Sequence, residues 1–221
     1  MFMPIPKPTR PAKRLLLRDV VFAKLRDAIV SGELRPGETI NESEVEAWAN
    51  ASRTPVREAI DRLAAVGLID VLPQRGTLVA ELDPARAASA FSLLGELLAV
   101  SSRVVVPVST SSQRNAIARR ARTVRSAADL VAPDGVFDVV VGVVGNSRLR
   151  QAWDELAPHV LRTWAIAPEH APAVDDLDLD TLVAAVTDGD GDRVESVIRR
   201  WFDAHDPHPR TALDAVAKET I

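Results

Sequence analysis

Apolar residues recur at a helical period through the first third of the chain and then shift, within a few residues, to the alternation of short strands. Between Asp19 and Ser31, Val21, Leu25, Ala28 and Ile29 share one face, which predicts a helix closed by Gly32. Leu34-Arg35-Pro36-Gly37 reads as a turn. A second, shorter helix is predicted from Asn41 to about Asn50. Asn41 is its N-cap with Glu44 in capping-box spacing, and Ile40, Val45 and Trp48 are its expected core contacts. After Asn50-Ala51 a third helix places Val56, Ala59, Ile60, Leu63 and Ala64 on one face, leaves Arg57 and Asp61 off it, and ends at Gly67. Thr54 followed by Pro55 matches the favoured N-cap and first-turn pairing. From Gly67 the period changes: Leu68–Leu72 and Thr77–Ala80 are β-rich, with Pro73-Gln74-Arg75-Gly76 as the turn between them. Beyond Asp83 the pattern is helical again, over about 84–101, 113–130, 135–144, 147–165, 180–187, 190–204 and 211–218. Asn146 and Gly189 stand at breaks, and Val104–Thr110 interrupts because Pro107 lacks an amide donor.

Two short helices whose second carries basic groups at its start, followed by a hairpin with arginine at its tip, form a winged helix-turn-helix. The fold class predicted is mainly α: that winged domain, then an all-α helical bundle. The chemistry concentrates at Ser52-Arg53-Thr54-Pro55-Val56-Arg57. A helix start bearing guanidinium and hydroxyl groups suits a phosphate backbone and the edge of guanine. The bland reading of the same residues is a capped surface helix with two solvated arginines. Arg75 at the hairpin tip is placed to reach phosphate or the minor groove, or is an ordinary exposed turn residue.

Charge changes this picture only in its distribution. The chain of 221 residues has 27 Lys+Arg against 31 Asp+Glu, a net charge of −4, which argues against a basic nucleic-acid binder. Residues 1–82 hold 12 and 11 of these for a net of +1, so the acidity sits downstream and the N-terminal part depends on where its arginines are placed. Residues 1–18 read as a basic flexible tail, 19–82 as the winged helix-turn-helix DNA-binding domain and 83–221 as a helical domain. No cysteine is present, and no run of about twenty apolar residues is seen for a membrane span. Both fit a cytoplasmic protein with no membrane partner.

The residues from about Val20 to Ala80 resemble the winged-helix domain of the GntR family of bacterial transcription regulators. The resemblance is carried by Ser31-Gly32-Glu33-Leu34-Arg35-Pro36-Gly37-Glu38, Ser52-Arg53-Thr54-Pro55-Val56-Arg57-Glu58-Ala59, Arg62-Leu63-Ala64, Gly67-Leu68-Ile69 and Arg75-Gly76-Thr77. It implies that Arg53 and Arg57 read the major groove, that Ser52 and Thr54 hold phosphates, and that Arg75-Gly76 forms the wing tip. Some members carry an arginine near the start of the second helix, where Ser43 stands here.

More loosely, Asp134-x-x-Phe137, Gly145–Leu149 and Ala185–Asp190 resemble the ligand-sensing and dimerisation domain of the FadR branch, usually called FCD, which implies that 83–221 is an effector-binding and dimerisation domain. Many members hold a divalent metal with one Asp and three His and grip a carboxylate ligand with an Arg. The matching positions here are Asp134, Asp138, about Leu179 and Trp201 for the metal, and about Leu94 for the arginine. The resemblance therefore implies an effector pocket at these five residues that has lost its metal, needs no cofactor and is more apolar. Two carboxylates on one helix face without imidazole suit a transition metal poorly.

Other candidate chemistry is thin. Asp188–Asp192 has the acidic alternation of a calcium loop, but Arg193 and Arg199 stand where the loop glycine and bidentate glutamate belong, so it reads as a connection that caps the next helix. His205 and His208 lie in a Pro-rich turn, and His159 and His170 have no evident partners. Trp48, Trp153, Trp164 and Trp201 read as core or interface residues. No nucleophile–base pattern points to an enzyme. The function expected is a sequence-specific regulator, a repressor in sign, that binds an inverted-repeat operator in double-stranded DNA as a homodimer and is modulated by a small-molecule effector. The alternative is a ligand-independent regulator whose C-terminal domain only dimerises or binds a protein.

Overall fold

Helix α1 (Leu17–Val30) opens the computed structural model, which describes residues 16–168 and 171–205. The tail expected over 1–18 lies outside the described residues up to position 15, as do the helix expected over 211–218, His170 and His208. The chain divides into two compact units: the described residues up to Ala28 with Gly37–Ala80, and Ile29–Pro36 with the residues from Glu81 on. It is mostly helical, as its apolar periodicity predicts.

In the first unit, α2 (Glu42–Ala49) and α3 (Arg53–Ala65) follow α1. The Asn41 Oδ1 accepts the Ser43 amide at 3.0 Å and so caps α2. Glu44 turns back to the Asn41 side-chain amide at 3.2 Å, a variant of the capping box. Asn50 closes α2 in the left-handed region at φ 50°. The expected core role of Trp48 is wrong: the two-turn helix buries its stripe through Val45 and Ala49, and Trp48 is left 47% exposed under the Lys24 ammonium, 5.5 Å from the ring. The expected Thr54 cap is also corrected. Ser52 is the N-cap of α3, in extended backbone and without a side-chain cap bond, and Pro55 sits within the first turn, where a missing amide forfeits no intrahelical bond. Val56, Ala59, Ile60 and Leu63 are buried as expected, as are Val21 and Leu25 of α1, while Ala64 is half-buried.

Strands β1 (Ile69–Leu72) and β2 (Gly76–Val79) pair antiparallel with Ile69 opposite Val79 and Leu72 opposite Gly76. A lone hairpin is marginal in water. Here β2 is flanked on its other edge by residues 37–40: the Val79 amide donates to the Glu38 carbonyl at 2.8 Å and the Ile40 amide to the Thr77 carbonyl at 2.8 Å. Nothing in the local pattern of residues 37–40 announced this third extended segment.

In the second unit, α4 (Pro84–Val105) packs against α7 (Val136–Val144), α8 (Ser147–Ile166) and α10 (Gly191–His205), and α5 (Ser111–Ala121) against α9 (Leu179–Asp188). Asp83 caps α4, and the helix gives way to a 3-10 turn at Val106–Val108, where Pro107 falls. Length and hydropathy alone would let Pro84–Val108 cross a membrane, which corrects the expectation that no such segment exists. Phe91, Leu94, Leu98 and Ala99 nevertheless point into the bundle core, and the helix carries Arg86, Glu96 and Arg103. The continuous helix expected over 113–130 is two pieces, α5 and the single turn α6 (Ala128–Val131). Asp129 Oδ2 accepts the amides of Arg125 and Ser126 at 2.8 and 2.9 Å, and this local bonding competes with helix continuation. Those two amides, the Arg125 one foremost, hold the Asp129 carboxyl below its ordinary pKa. Asn146 caps α8, Asp178 caps α9 and Asp190 Oδ1 accepts the Arg193 amide at 3.0 Å, so the acidic stretch 188–192 does cap the helix after it.

Candidate nucleic-acid interface

Arg53 and Arg57 are i and i+4 on α3 and therefore share a side, away from the buried stripe of Val56, Ala59, Ile60 and Leu63. Their side chains are 65% and 54% exposed. Ser52 and Thr54, at the same helix start, are exposed as well. The wing turn lifts Arg75 between Gln74 at φ 69° and Gly76 at φ 81°. A Cβ on Gly76 would meet nothing within 4 Å, so the glycine serves the left-handed backbone and not a close approach.

Two other arginines of this unit are tied differently. Arg62 donates to Asp19 at 2.8 Å and lies 4.0 Å above the Phe22 ring, and Arg18 pairs with Glu58 at 3.2 Å, so these cations fasten α3 to α1. The sequence pattern missed one residue of this surface. Glu42, the first residue of α2, places a single oxygen, Oε2, 2.9 Å from Arg57 Nε and 3.4 Å from Arg53 Nε. Fifteen residues separate Glu42 from Arg57, so only the helix-turn-helix fold brings them together.

The five residues expected to line an effector pocket do not converge on one. Leu94 and Trp201 are each 1% exposed and belong to the core, where Trp201 packs 5.7 Å from Phe91 and 5.0 Å from Phe202 and donates Nε1–H to the Ala173 carbonyl at 3.1 Å. Leu179 is half-buried at the start of α9. Asp134 and Asp138 do not share a helix face: Asp134 precedes α7 at φ 60°, and its amide donates to Asp138 Oδ2 at 3.2 Å. The Asp138 carboxylate instead holds Arg150 Nη1, while Arg150 Nη2 donates to the Asp138 carbonyl at 3.0 Å. Burial works against the Arg150 charge, but the hydrogen bond and charge of Asp138, with Asp154 beside them, outweigh it and raise the guanidinium pKa. These residues do not fit a divalent metal: two positions are apolar, one acid lies off the helix and the other is neutralised by an internal cation. Among the described residues no three His, Asp or Glu side chains converge as a metal would need.

A cavity of about 450 Å³ opens one helical turn away on both α4 and α10, lined by Ala87, Ala88, Phe91, Thr163, Trp164 and His205 among others. Phe91 and Trp164 form an edge-to-face wall with centroids 5.9 Å apart. His205 is held at the rim, Nδ1 2.7 Å from the Trp201 carbonyl and Nε2 3.1 Å from Asp176. Apolar residues at these spacings look the same in sequence whether a bundle closes over them or leaves a void.

Residues 17–79 match the family described as bacterial regulatory proteins, gntR family. An uncharacterized HTH-type transcriptional regulator in an unstable DNA locus of Streptomyces ambofaciens is 44% identical over 70 residues, which cover 32% of this chain and 30% of that protein. The probable D-xylose utilization operon transcriptional repressor of Paenarthrobacter nicotinovorans is 28% identical over 225 residues, covering 92% of this chain and 96% of the relative. Two solved structures share the fold. E. coli McbR/YncC is 16% identical with a TM-score of 0.60 over 94% of this chain and 100% of its own. A transcriptional regulator GntR from Rhodococcus sp. RHA1 is 19% identical with a TM-score of 0.58 over 90% and 98%.

Proposed function

We propose that this chain, whose residues 17–79 match the gntR family, is a transcription regulator that acts as a homodimeric repressor on a short inverted repeat in double-stranded DNA. The observation that carries this reading is the exposed pair Arg53 and Arg57 at the start of α3, on a helix whose opposite side is fully engaged in the core. Each guanidinium that meets a guanine edge contributes about 1–3 kcal/mol of discrimination. Ser52 and Thr54 contact the flanking phosphates, Arg75 and Gly76 bring the wing to the backbone, and the basic residues of the tail add sequence-independent attraction. In this reading 19–82 is the DNA-binding part and 83–221 the effector-binding and dimerisation part, of FCD type, in a cytoplasmic protein.

The dimer reading is supported by α4. Leu93, Val100 and Val104 are 48, 42 and 60% exposed and fall at spacings of seven and four, a continuous aliphatic stripe of the kind two copies of a helix bury against each other. Two-fold symmetry in the protein then requires two-fold symmetry in the operator. The effector reading moves from Asp134 and Asp138 to the cavity beside Phe91, Trp164 and His205, whose volume and apolar wall suit a small, largely uncharged ligand without a metal. Such a ligand acts only through its difference in affinity between the DNA-competent and incompetent arrangements.

The test is selection of a preferred duplex from a random pool, followed by titration with the wild type and Arg57→Ala. A palindromic consensus, bound two protomers per site and weakened about tenfold to a hundredfold by the substitution, is the expected result. Equal affinity of wild type and variant for the selected site refutes the docking of α3. A melting shift with an apolar probe such as indole separates effector binding from the ligand-independent alternative, in which nothing stabilises the protein.

A further inference from the structure

Glu42 is an acidic residue set directly against the two arginines assigned to base reading, on a surface that must approach a polyanion. For a protein whose affinity comes from phosphate neutralisation, a carboxylate at this place lowers attraction to any DNA. The geometry shows what stands on the other side of the balance. A single oxygen, Oε2, meets both guanidinium groups, Arg57 at 2.9 Å and Arg53 at 3.4 Å, and in both cases the contact is to Nε. A guanidinium gripped at Nε still presents the edge made by its two terminal nitrogens, which can donate in parallel to two acceptors of a guanine. Glu42 is itself fixed: it is the first residue of α2, whose start is pinned by the Asn41 cap, and its side chain is only 30% exposed. The anchor is therefore the more enclosed partner, while the two arms it holds are more than half exposed.

We propose that Glu42 is a specificity-determining positioning residue, a clamp that holds the Arg53 and Arg57 forks in one register for base reading and at the same time depresses binding to DNA of unrelated sequence. This inference rests on the reading of α3 as the base-contacting helix. Exposed ion pairs of this kind are weak, so the clamp orders the forks without locking them, and a matching base edge is met by side chains that have already lost part of their rotamer freedom. With Glu42 neutralised, both arginines become free cations that any phosphate can take. The expected consequence is a gain in non-specific affinity and a loss in the ratio of specific to non-specific binding.

The experiment uses the full chain and two duplexes, the site selected from a random pool with the wild type and a scrambled duplex of the same length and composition. Glu42→Gln and Glu42→Asp are compared with the wild type from 50 to 300 mM salt, after their melting curves show that both fold. Glu42→Gln is expected to bind the scrambled duplex several-fold more tightly, with a steeper dependence on salt, and to lose about tenfold in the specific to non-specific ratio. Glu42→Asp keeps the charge on a side chain one methylene shorter that cannot reach both Nε atoms. It is expected to leave non-specific affinity near the wild-type value and still lose discrimination. A Glu42→Gln variant whose affinities for the two duplexes rise in parallel overturns the clamp and leaves only simple repulsion, as does a Glu42→Asp variant that discriminates like the wild type. A wild type that selects no sequence at all is a different failure, of the base-reading role of α3, and is recognised before either variant is measured.

Discussion

Replacing Asp138 with asparagine tests most directly whether an internal arginine has taken the place a metal would need. The substitution keeps size and one acceptor oxygen but removes the charge that Arg150 Nη1 contacts. The Asp138 side chain is 20% exposed and that of Arg150 is 35%, so the pair lies between the limits for exposed bridges, about 0–1 kcal/mol, and for buried ones broken on one side, about 3–5 kcal/mol. Arg150 also keeps its bonds to the Asp138 carbonyl and, at 3.5 Å, to Asp154, which soften the loss. A cost of about 2 kcal/mol follows, or about 4–8 °C in melting temperature for a chain of this size. The assay is denaturant unfolding of Asp138→Asn, Arg150→Met and the double variant, each with and without EDTA. If the pair acts as a unit, the double variant costs little more than either single one, and the chelator changes nothing in any of the four proteins. Single costs that add to within about 0.5 kcal/mol refute the coupling. A wild-type melt that falls with EDTA refutes the displacement of metal outright.

Three further outcomes follow from the same geometry. Arg75→Ala is expected to weaken binding to all duplexes by a similar factor and to make the logarithmic salt slope shallower by about 0.9, measured by fluorescence anisotropy; a changed base preference would show that the wing reads sequence. Gly95→Ala places a methyl carbon 2.5 Å from the Phe202 ring, which is wedged 4.6 Å from Phe91 and 5.0 Å from Trp201, so overpacking is expected to cost about 1–3 kcal/mol in urea unfolding, and an unchanged midpoint would show that Phe202 can move aside. Asp129→Asn weakens the bonds to the Arg125 and Ser126 amides and is expected to cost about 1 kcal/mol at pH 7. Because those amides lower the folded-state pKa, the wild-type advantage is full above the ordinary carboxylate range and shrinks as pH falls through it; a difference that stays constant from pH 7 to pH 3 would remove the charge from the explanation.

The helix-turn-helix was legible because its signals are local. Caps such as Asn41, apolar spacing such as Val56–Ala59–Ile60–Leu63, and the punctuation by Gly32 and Gly67 act within one or two turns of chain. The same locality explains the errors. Trp48 and Ala49 stand three and four residues after Val45, so local spacing lets either close the buried stripe and the packing takes Ala49, and the run 113–130 looked continuous because Asp129 breaks it through its side chain and not through helix propensity. Ser52 and Thr54 are both acceptable N-caps, and the backbone path from Asn50 decides between them.

By itself the sequence determined the helical class, the winged N-terminal part and the placement of Arg53, Arg57 and Arg75 on a helix start and a hairpin tip, since period and turn chemistry suffice for each. Only the tertiary structure decided which cations stand available and which are spent. Arg62 is tied to Asp19 and Phe22, Arg150 to Asp138, and Arg53 and Arg57 share the one Glu42 oxygen. It also decided that Leu94 and Trp201 fill the bundle while the void opens a turn away beside Phe91 and His205. Ion pairs and cavities are sums over residues distant in the chain, and no period along the sequence encodes a sum of that kind.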